Sequence, residues 1–154
     1  MKILITSEFS TKGMEQLKVW FNAKIMYKPW TENGKGLNPQ ELINLINAEG
    51  AEALITELED VNREVLDKCS FLKFIGDCRG NPTNIDMAAA KEKGIPVFCT
   101  PGRNSQAVAE LLVGGLISFY RNLIQSANYC KEGKWDSPPP STYYKFQGNE
   151  ICEK

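Results

Sequence analysis

The sequence contains no histidine among its 154 residues. This absence excludes, within the chain, every catalytic triad and every metal site that depends on an imidazole. The 5 cysteines include no C-x-x-C pair, so a zinc knuckle and a dithiol redox motif are excluded as well. Without a histidine to activate it, a cysteine nucleophile is also disfavoured. The sequence therefore predicts free thiols and no metal site.

The sequence also lacks an excess of charge of either sign and lacks long apolar runs. The formal net charge is −1, which gives no electrostatic basis for binding nucleic acid or an anionic membrane surface. The amino-terminal apolar run is interrupted at Ser7-Glu8, so no signal peptide is predicted. The longest apolar-rich stretch, residues 107–120, contains Glu110 and is too short to span a membrane. A cytoplasmic location without nucleic-acid or membrane partners is expected.

Short apolar runs alternate with helical patterns along the first hundred residues. The runs predict strands at Lys2–Thr6, Ala23–Tyr27, Ala51–Thr56, Leu72–Ile75 and Ile95–Cys99. Helices are predicted at Thr11–Phe21, from Asn38-Pro39 to Gly50, at Asn62–Cys69 and at Asn84–Lys93. This alternation predicts an α/β fold with a parallel, flavodoxin-like sheet of order 2-1-3-4-5 and helices on both faces. Ligands of such sheets bind at the carboxyl ends of the strands.

The pattern changes after Pro101-Gly102. Asn104 or Ser105 begins a long helix that is expected to reach about Gln125. Gly114-Gly115 lies inside it, and each glycine costs roughly 1 kcal/mol of helix propensity. Either the pair allows close packing against another helix, in this chain or in a partner, or the helix is locally weak. The run Pro138–Pro140 predicts an extended surface segment.

One stretch carries a family resemblance. It consists of RGNPTNID (Arg79–Asp86), KGIPVFCTPGRNSQAVAE (Lys93–Glu110) and KEGKW (Lys131–Trp135). In order and spacing these segments resemble the D-isomer-specific 2-hydroxyacid dehydrogenases, which include phosphoglycerate dehydrogenase. The resemblance implies a substrate-binding (catalytic) domain at 1–100 and the start of a Rossmann coenzyme-binding domain at 101–154. It also implies NAD as the cofactor and a small 2-hydroxy or 2-keto acid as the substrate.

The resemblance assigns substrate binding to four residues. In the family the turn at Arg79, Gly80 and Asn81 holds the substrate carboxylate, and Asn104 faces the cleft near the domain hinge. A glycine lets backbone N–H groups approach a ligand, and such groups suit a carboxylate. The alternatives are a tight strand-to-helix turn, a surface salt bridge for Arg79, and a helix N-cap for Asn104.

Much of the family's site has no counterpart before Lys154. The G-x-G-x-x-G turn for the cofactor pyrophosphate does not occur in this sequence. The family's orienting arginine, its glutamate, its acid/base histidine and the final helix that completes the substrate domain all lie further on. The resemblance therefore implies no catalytic residue in this chain, cofactor-binding residues that are unknown, and no activity for the chain alone. It further implies a homodimer through the long helix, residues 104–125.

The loop after the third strand departs from the phosphoglycerate dehydrogenases, which usually carry an arginine there. It reads Glu57-Leu58-Glu59-Asp60, and three carboxylates near the cleft are expected to repel a phosphorylated substrate. Arg79 or Arg103 would have to replace the missing cation. A small or neutral-tailed 2-keto acid, or a sugar acid, fits at least as well.

Another class of function stays open beside the dehydrogenase. It is a non-catalytic, flavodoxin-like binding or dimerisation module. A receiver domain, one form of such a module, needs clustered acids after the first strand and an aspartate after the third. Only Glu8 and Glu57 lie nearby, which disfavours that form.

Overall fold

The structure, a computed structural model, describes residues 1–32 and 34–133. The chain divides after Arg103 into two compact units, of which the first is Met1–Arg103 and the second begins at Asn104. All the strands that the structure describes belong to the first unit, whereas the described part of the second is helical.

The sheet of the first unit consists of five parallel strands in the order β2-β1-β3-β4-β5, which confirms the predicted order. Their bounds are β1 Lys2–Ile5, β2 Lys24–Tyr27, β3 Ala53–Thr56, β4 Phe74–Asp77 and β5 Val97–Cys99. β1, the first strand in the sequence, lies inside the sheet, where Ile3 is opposite Ile25 of β2 and Ala53 of β3. β4 begins and ends later than the predicted Leu72–Ile75, and this shift brings Asp77 into the strand.

Side-chain caps fix the connecting helices. These are α1 Thr11–Phe21, α2 Pro39–Glu49, α3 Arg63–Lys68 and α4 Met87–Glu92, with a short 3₁₀ turn at Trp30–Glu32. The predicted start of α2 is confirmed, because the side chains of Asn38 and Glu41 each accept a 2.9 Å hydrogen bond from the other's backbone N–H. Gly50 ends α2 with a φ of 61°. α4 is shorter than predicted because the Asp86 carboxylate caps it, accepting from the Ala89 N–H at 2.8 Å.

The two faces of the sheet are covered unequally. α2, α3 and α4 pack on one face, around buried residues such as Leu4, Leu54 and Ile75. Of the helices described in the first unit, only α1 packs on the other face, where Cys78 lies as a small buried residue. A cavity of about 570 Å³ lies on that second face. Its aromatic lining includes Phe98, which is 62% exposed. No described helix of the first unit therefore covers the part of the second face over β4 and β5.

The described part of the second unit, residues 104–133, contains two helices where one was expected. α5 runs from Ser105 to Tyr120, α6 runs from Leu123 to Lys131, and the two are bent by 62°. The prediction of an unbroken helix over 104–125 is therefore wrong. The break lies at Asn122, whose φ of 51° is left-handed, a conformation that asparagine tolerates better than most residues. Apolar residues continue past the break, which is why periodicity did not reveal it.

The sequence allowed two explanations for Gly114-Gly115, close packing against another helix or a locally weak helix. A Cβ added at either glycine would meet nothing within 4 Å, so no described residue packs closely there. Among residues 1–32 and 34–133, no single helix is long and apolar enough to cross a membrane. α5 and α6 meet the length and composition criteria only as a bent pair.

Candidate functional site

The turn after β4 forms the centre of the candidate site. The carboxyl ends of parallel strands meet at one edge of a sheet, so this turn lies between the loops that follow β3 and β5. The backbone N–H of Thr100 donates to the Arg79 carbonyl at 2.9 Å and joins the turn to the segment after β5. A Cβ on Gly80 would lie 3.4 Å from the Pro101 Cα, an ordinary contact distance. The glycine is therefore not required by backbone strain.

The structure brings three of the four predicted site residues together in this turn. Arg79 is half-buried, and Gly80 and Asn81 are exposed. In the described part of the chain, the backbone N–H groups of Gly80 and Asn81 donate to no other group. The Arg79 guanidinium donates to the Thr83 hydroxyl at 3.2 Å, and no described carboxylate lies within ion-pair distance of it. The surface salt bridge considered for Arg79 is therefore not seen.

Asp77 lies directly before this turn and was not singled out in the sequence. Its side chain is 1% exposed, and neither carboxylate oxygen makes a hydrogen bond of ordinary geometry among the described residues. Burial raises the pKa of Asp77 above its ordinary value of 3.8. The Arg79 charge, the Asn84 side chain and the Arg79 backbone N–H oppose that rise, since all three favour the ionised form. A buried acid therefore adjoins a cationic, exposed turn.

The loop after β3 does not present the three carboxylates that the sequence suggested. Glu59 is fully buried, and its Oε2 accepts hydrogen bonds from the hydroxyls of Thr6, at 2.9 Å, and Thr56, at 2.5 Å. The inward direction follows from the loop's anchoring, because Val61 forms a parallel bridge with Ile85. Glu59 thus joins the ends of β1 and β3, and it carries no charge to the surface. The prediction that three carboxylates of this loop face the cleft is therefore wrong for Glu59.

A second carboxylate of that loop has a cationic partner. Glu57 Oε1 lies 2.5 Å from Nη2 of Arg103, the last residue of the first unit. The side chains of Glu57 and Arg103 are 16% and 50% exposed. The pair joins the segment after β5 to the loop after β3, with β4 between them in the sheet. Of the three carboxylates, only that of Asp60 is both exposed and without a cationic partner among the described residues.

Asn104, the fourth predicted site residue, begins the second unit and precedes α5. Its side chain makes no capping hydrogen bond, and its ψ of 9° differs from the extended backbone of the N-caps Ser10, Asn38 and Asn62. The predicted N-cap role is therefore wrong for the side chain. Only the backbone carbonyl takes part, accepting from the Val108 N–H at 3.0 Å. The structure brings Arg79, Gly80 and Asn81 together, and Asn104 is described only with α5.

The described residues do not form a dinucleotide or metal site. The loop after β1 carries Glu8 and has no glycine before α1, and the loop after β3 is acidic, so neither suits a pyrophosphate. No group of three or more cysteine, aspartate or glutamate side chains in the described ranges could hold a metal ion. This part of the chain carries, in one turn, a guanidinium and two adjacent backbone N–H groups that donate to no described group.

Known proteins of similar sequence share one family description. The sequence profile described as "D-isomer specific 2-hydroxyacid dehydrogenase, catalytic domain" matches residues 3–151. YoaD of Bacillus subtilis, which is named as a 2-hydroxyacid dehydrogenase, is 44% identical over 154 residues, covering 100% of this chain and 44% of YoaD. D-3-phosphoglycerate dehydrogenase of Methanocaldococcus jannaschii is 36% identical over 124 residues, covering 80% of this chain and 22% of that protein.

A solved structure supports the fold. The TT0316 protein of Thermus thermophilus superposes with a TM-score of 0.78 and 27% identity, covering 98% of this chain and 46% of that chain. The chain thus spans less than half the length of each of these relatives.

Proposed function

Because the chain belongs to the D-isomer-specific 2-hydroxyacid dehydrogenase family, we propose that it forms the substrate-carboxylate site of an NAD-dependent oxidoreductase. The whole enzyme would transfer a hydride between NAD and carbon 2 of a 2-hydroxy or 2-keto acid. The observation that carries the proposal is the turn at Arg79–Asn81. It is accessible, cationic and rich in free N–H donors, and it lies at the carboxyl edge of a parallel sheet.

Each group of this turn has a defined part in the proposed binding. The Arg79 guanidinium supplies a positive charge that has no described carboxylate within ion-pair distance. The N–H groups of Gly80 and Asn81 would donate to the substrate carboxylate, and hydrogen bonds to an ionised acceptor are stronger than neutral ones. Holding the carboxylate in this way orients the neighbouring carbon 2, which is the reacting atom. We assign to Asn104 a place near the hinge by family resemblance alone.

We also propose how the chain is divided between domains. The substrate-binding domain would comprise the first unit, with a boundary at Arg103 close to the predicted residue 100. Residues from Asn104 onward would begin the coenzyme-binding domain. A cytoplasmic location stays a prediction.

A second candidate function is a dimerisation module, and the surface of α5 favours it. Among the large apolar residues of α5, Leu111 is 78% exposed and Leu112 is 63% exposed. We propose that α5, rather than the whole of residues 104–125, forms the homodimer interface. Leu111→Glu should convert a dimer to a monomer in analytical ultracentrifugation. A wild-type chain that is monomeric at all concentrations would refute this assignment.

The carboxylate site can be tested on the 154-residue chain by NMR. Titration with D-lactate should shift the amide signals of Gly80 and Asn81, and Arg79→Gln should weaken the binding. Arg63→Gln is a matched control, because Arg63 pairs with Glu92 at 2.8 Å and takes no part in the turn. Signals that do not move, or that move equally in both variants, would contradict the proposal.

The assignment of catalysis to other parts of the enzyme has its own test. The chain alone should produce no NADH from NAD and any of a panel of 2-hydroxy acids, because it contains neither a histidine nor a G-x-G-x-x-G turn. Measurable turnover by the purified chain would show this assignment to be wrong.

A further inference from the structure

The ion pair of Glu57 and Arg103 lies beside the proposed carboxylate turn. Both side chains act electrostatically on the thiol of Cys78, the residue before Arg79. Glu57 also acts on the carboxyl of Asp77. On the other side, the backbone N–H of Arg103 donates to the Thr100 carbonyl at 3.4 Å. The pair is therefore part of the surroundings of the turn.

The number of unpaired positive charges at this edge follows from the described ion pairs. Two guanidinium groups lie there, those of Arg79 and Arg103. Arg103 is neutralised by Glu57 at 2.5 Å, whereas Arg79 has no carboxylate partner in the described ranges. One cation and two backbone N–H groups match a single carboxylate. A second anionic group on a substrate would meet Glu57, or would have to displace it from Arg103.

We propose that Glu57 is a specificity-determining residue that keeps Arg103 occupied and so selects 2-hydroxy acids with an uncharged tail over dianionic ones. This inference rests on the proposed function of the turn. Glu57 is held firmly enough for the role, because it is mostly buried and a carboxylate in that position needs a paired cation. Arg103 is half exposed, so a ligand can reach its guanidinium once Glu57 is removed.

The same geometry predicts a change of specificity. In Glu57→Gln the amide leaves Arg103 in place without neutralising it, and the edge then carries two unpaired cations. A dicarboxylic 2-hydroxy acid can use both, whereas a monocarboxylic one uses only the first. The gain should be selective for the dianion. We expect the gain in affinity for the dianion to be about fivefold, the upper end of what one exposed ion pair contributes.

The experiment compares D-lactate with D-malate, which differ by one carboxylate. Dissociation constants are measured from the amide shifts of Gly80 and Asn81 in the 154-residue chain at constant ionic strength. Glu57→Gln should strengthen D-malate binding about fivefold and change D-lactate binding less than twofold. The double variant Glu57→Gln/Arg103→Gln should lose the gain. Glu92→Gln removes the nearer carboxylate partner of Arg63, at 2.8 Å, and leaves Asp86 at 3.9 Å; it should leave both constants unchanged.

The possible results separate the two proposals. If Glu57→Gln strengthens both acids equally, or if Glu92→Gln gives the same gain, the specificity role is overturned while the carboxylate site stands. Retention of the gain in the double variant overturns the role as well, because Arg103 would then not be the acceptor. If neither acid moves these amides in the wild-type chain or in any variant, the carboxylate site is wrong and the specificity role falls with it.

Discussion

Replacing the buried Glu59 with alanine should destabilise the first unit more than the same replacement of an exposed glutamate does. Glu59 is fully buried, and its Oε2 accepts from the hydroxyls of Thr6 and Thr56. In the variant the Thr6 hydroxyl keeps its 3.3 Å hydrogen bond to the Ile55 carbonyl, but the Thr56 hydroxyl loses its described acceptor. The ends of β1 and β3 then lose the side chain that joins them.

The expected magnitude follows from these contacts. A buried hydroxyl left without a partner costs about 1–3 kcal/mol, and each buried methylene removed costs about 0.8 kcal/mol. Removing Glu59 also relieves its Oε1, which has no described partner. We therefore expect Glu59→Ala to lower the free energy of unfolding by about 3 kcal/mol, a large fraction of the stability of such a domain. Glu59→Gln, which keeps an acceptor oxygen, should lose about 1 kcal/mol.

Urea unfolding followed by far-UV circular dichroism measures this difference. Glu64→Ala is the matched control, because Glu64 is exposed and pairs only with Lys68, one helical turn away. That exposed pair contributes little, so the control should unfold like the wild type. The reasoning is refuted if Glu59→Ala and Glu64→Ala are equally stable. Equal losses in the alanine and glutamine variants of Glu59 would refute the role of the acceptor oxygen.

Three further predictions concern other parts of the molecule. Because burial raises the pKa of Asp77, the folded state binds this proton more tightly than the unfolded state, and stability is lost as pH rises from 3.8 through the folded pKa. Asp77→Asn should therefore gain stability relative to the wild type over that range in urea titrations, and a difference independent of pH would contradict this. Asn122→Ala should speed amide exchange in the first turn of α6 about fivefold, because a left-handed φ costs alanine about 1 kcal/mol more than it costs asparagine. Asn128→Ala, inside α6, is the control and should not speed this exchange. Phe98→Ser should reduce binding of the dye ANS to the chain more than Val19→Ser does, because Phe98 lines the cavity and Val19 does not; equal reductions would argue against an open face there.

The sheet could be predicted from the sequence because its signals are local. Asn38-Pro39 and Gly50 define α2 through capping chemistry that needs no knowledge of the rest of the fold. Alternating strands and helices then leave few topologies, since right-handed crossovers set the strand order. The break at Asn122 was missed because apolar periodicity continues through it and only the backbone angle reveals it.

The site was predicted less completely, because its interactions join residues far apart in the sequence. The turn at Arg79–Asn81 came from a motif, and the structure shows it exposed. Glu57 and Arg103 are 46 positions apart, and no spacing rule predicts that they pair. Glu59 looked like a surface acid beside Glu57 and Asp60, and only the direction of the loop shows that it is buried. Asp77 gave one signal, a carboxylate at the end of an apolar strand.

The position of β1 has a consequence for the order in which the fold can assemble. β1 precedes the other four strands of this sheet in the sequence and yet lies inside the sheet, and its pairing of Ile3 with Ala53 closes a loop that contains all of β2 and α2. No two neighbouring strands are joined by a hairpin, since every pair is parallel. Contacts of such long sequence separation slow folding, because the entropy of loop closure is lost before the sheet is stabilised. The nascent chain therefore has to keep β1 unpaired on one side until β3 has been made.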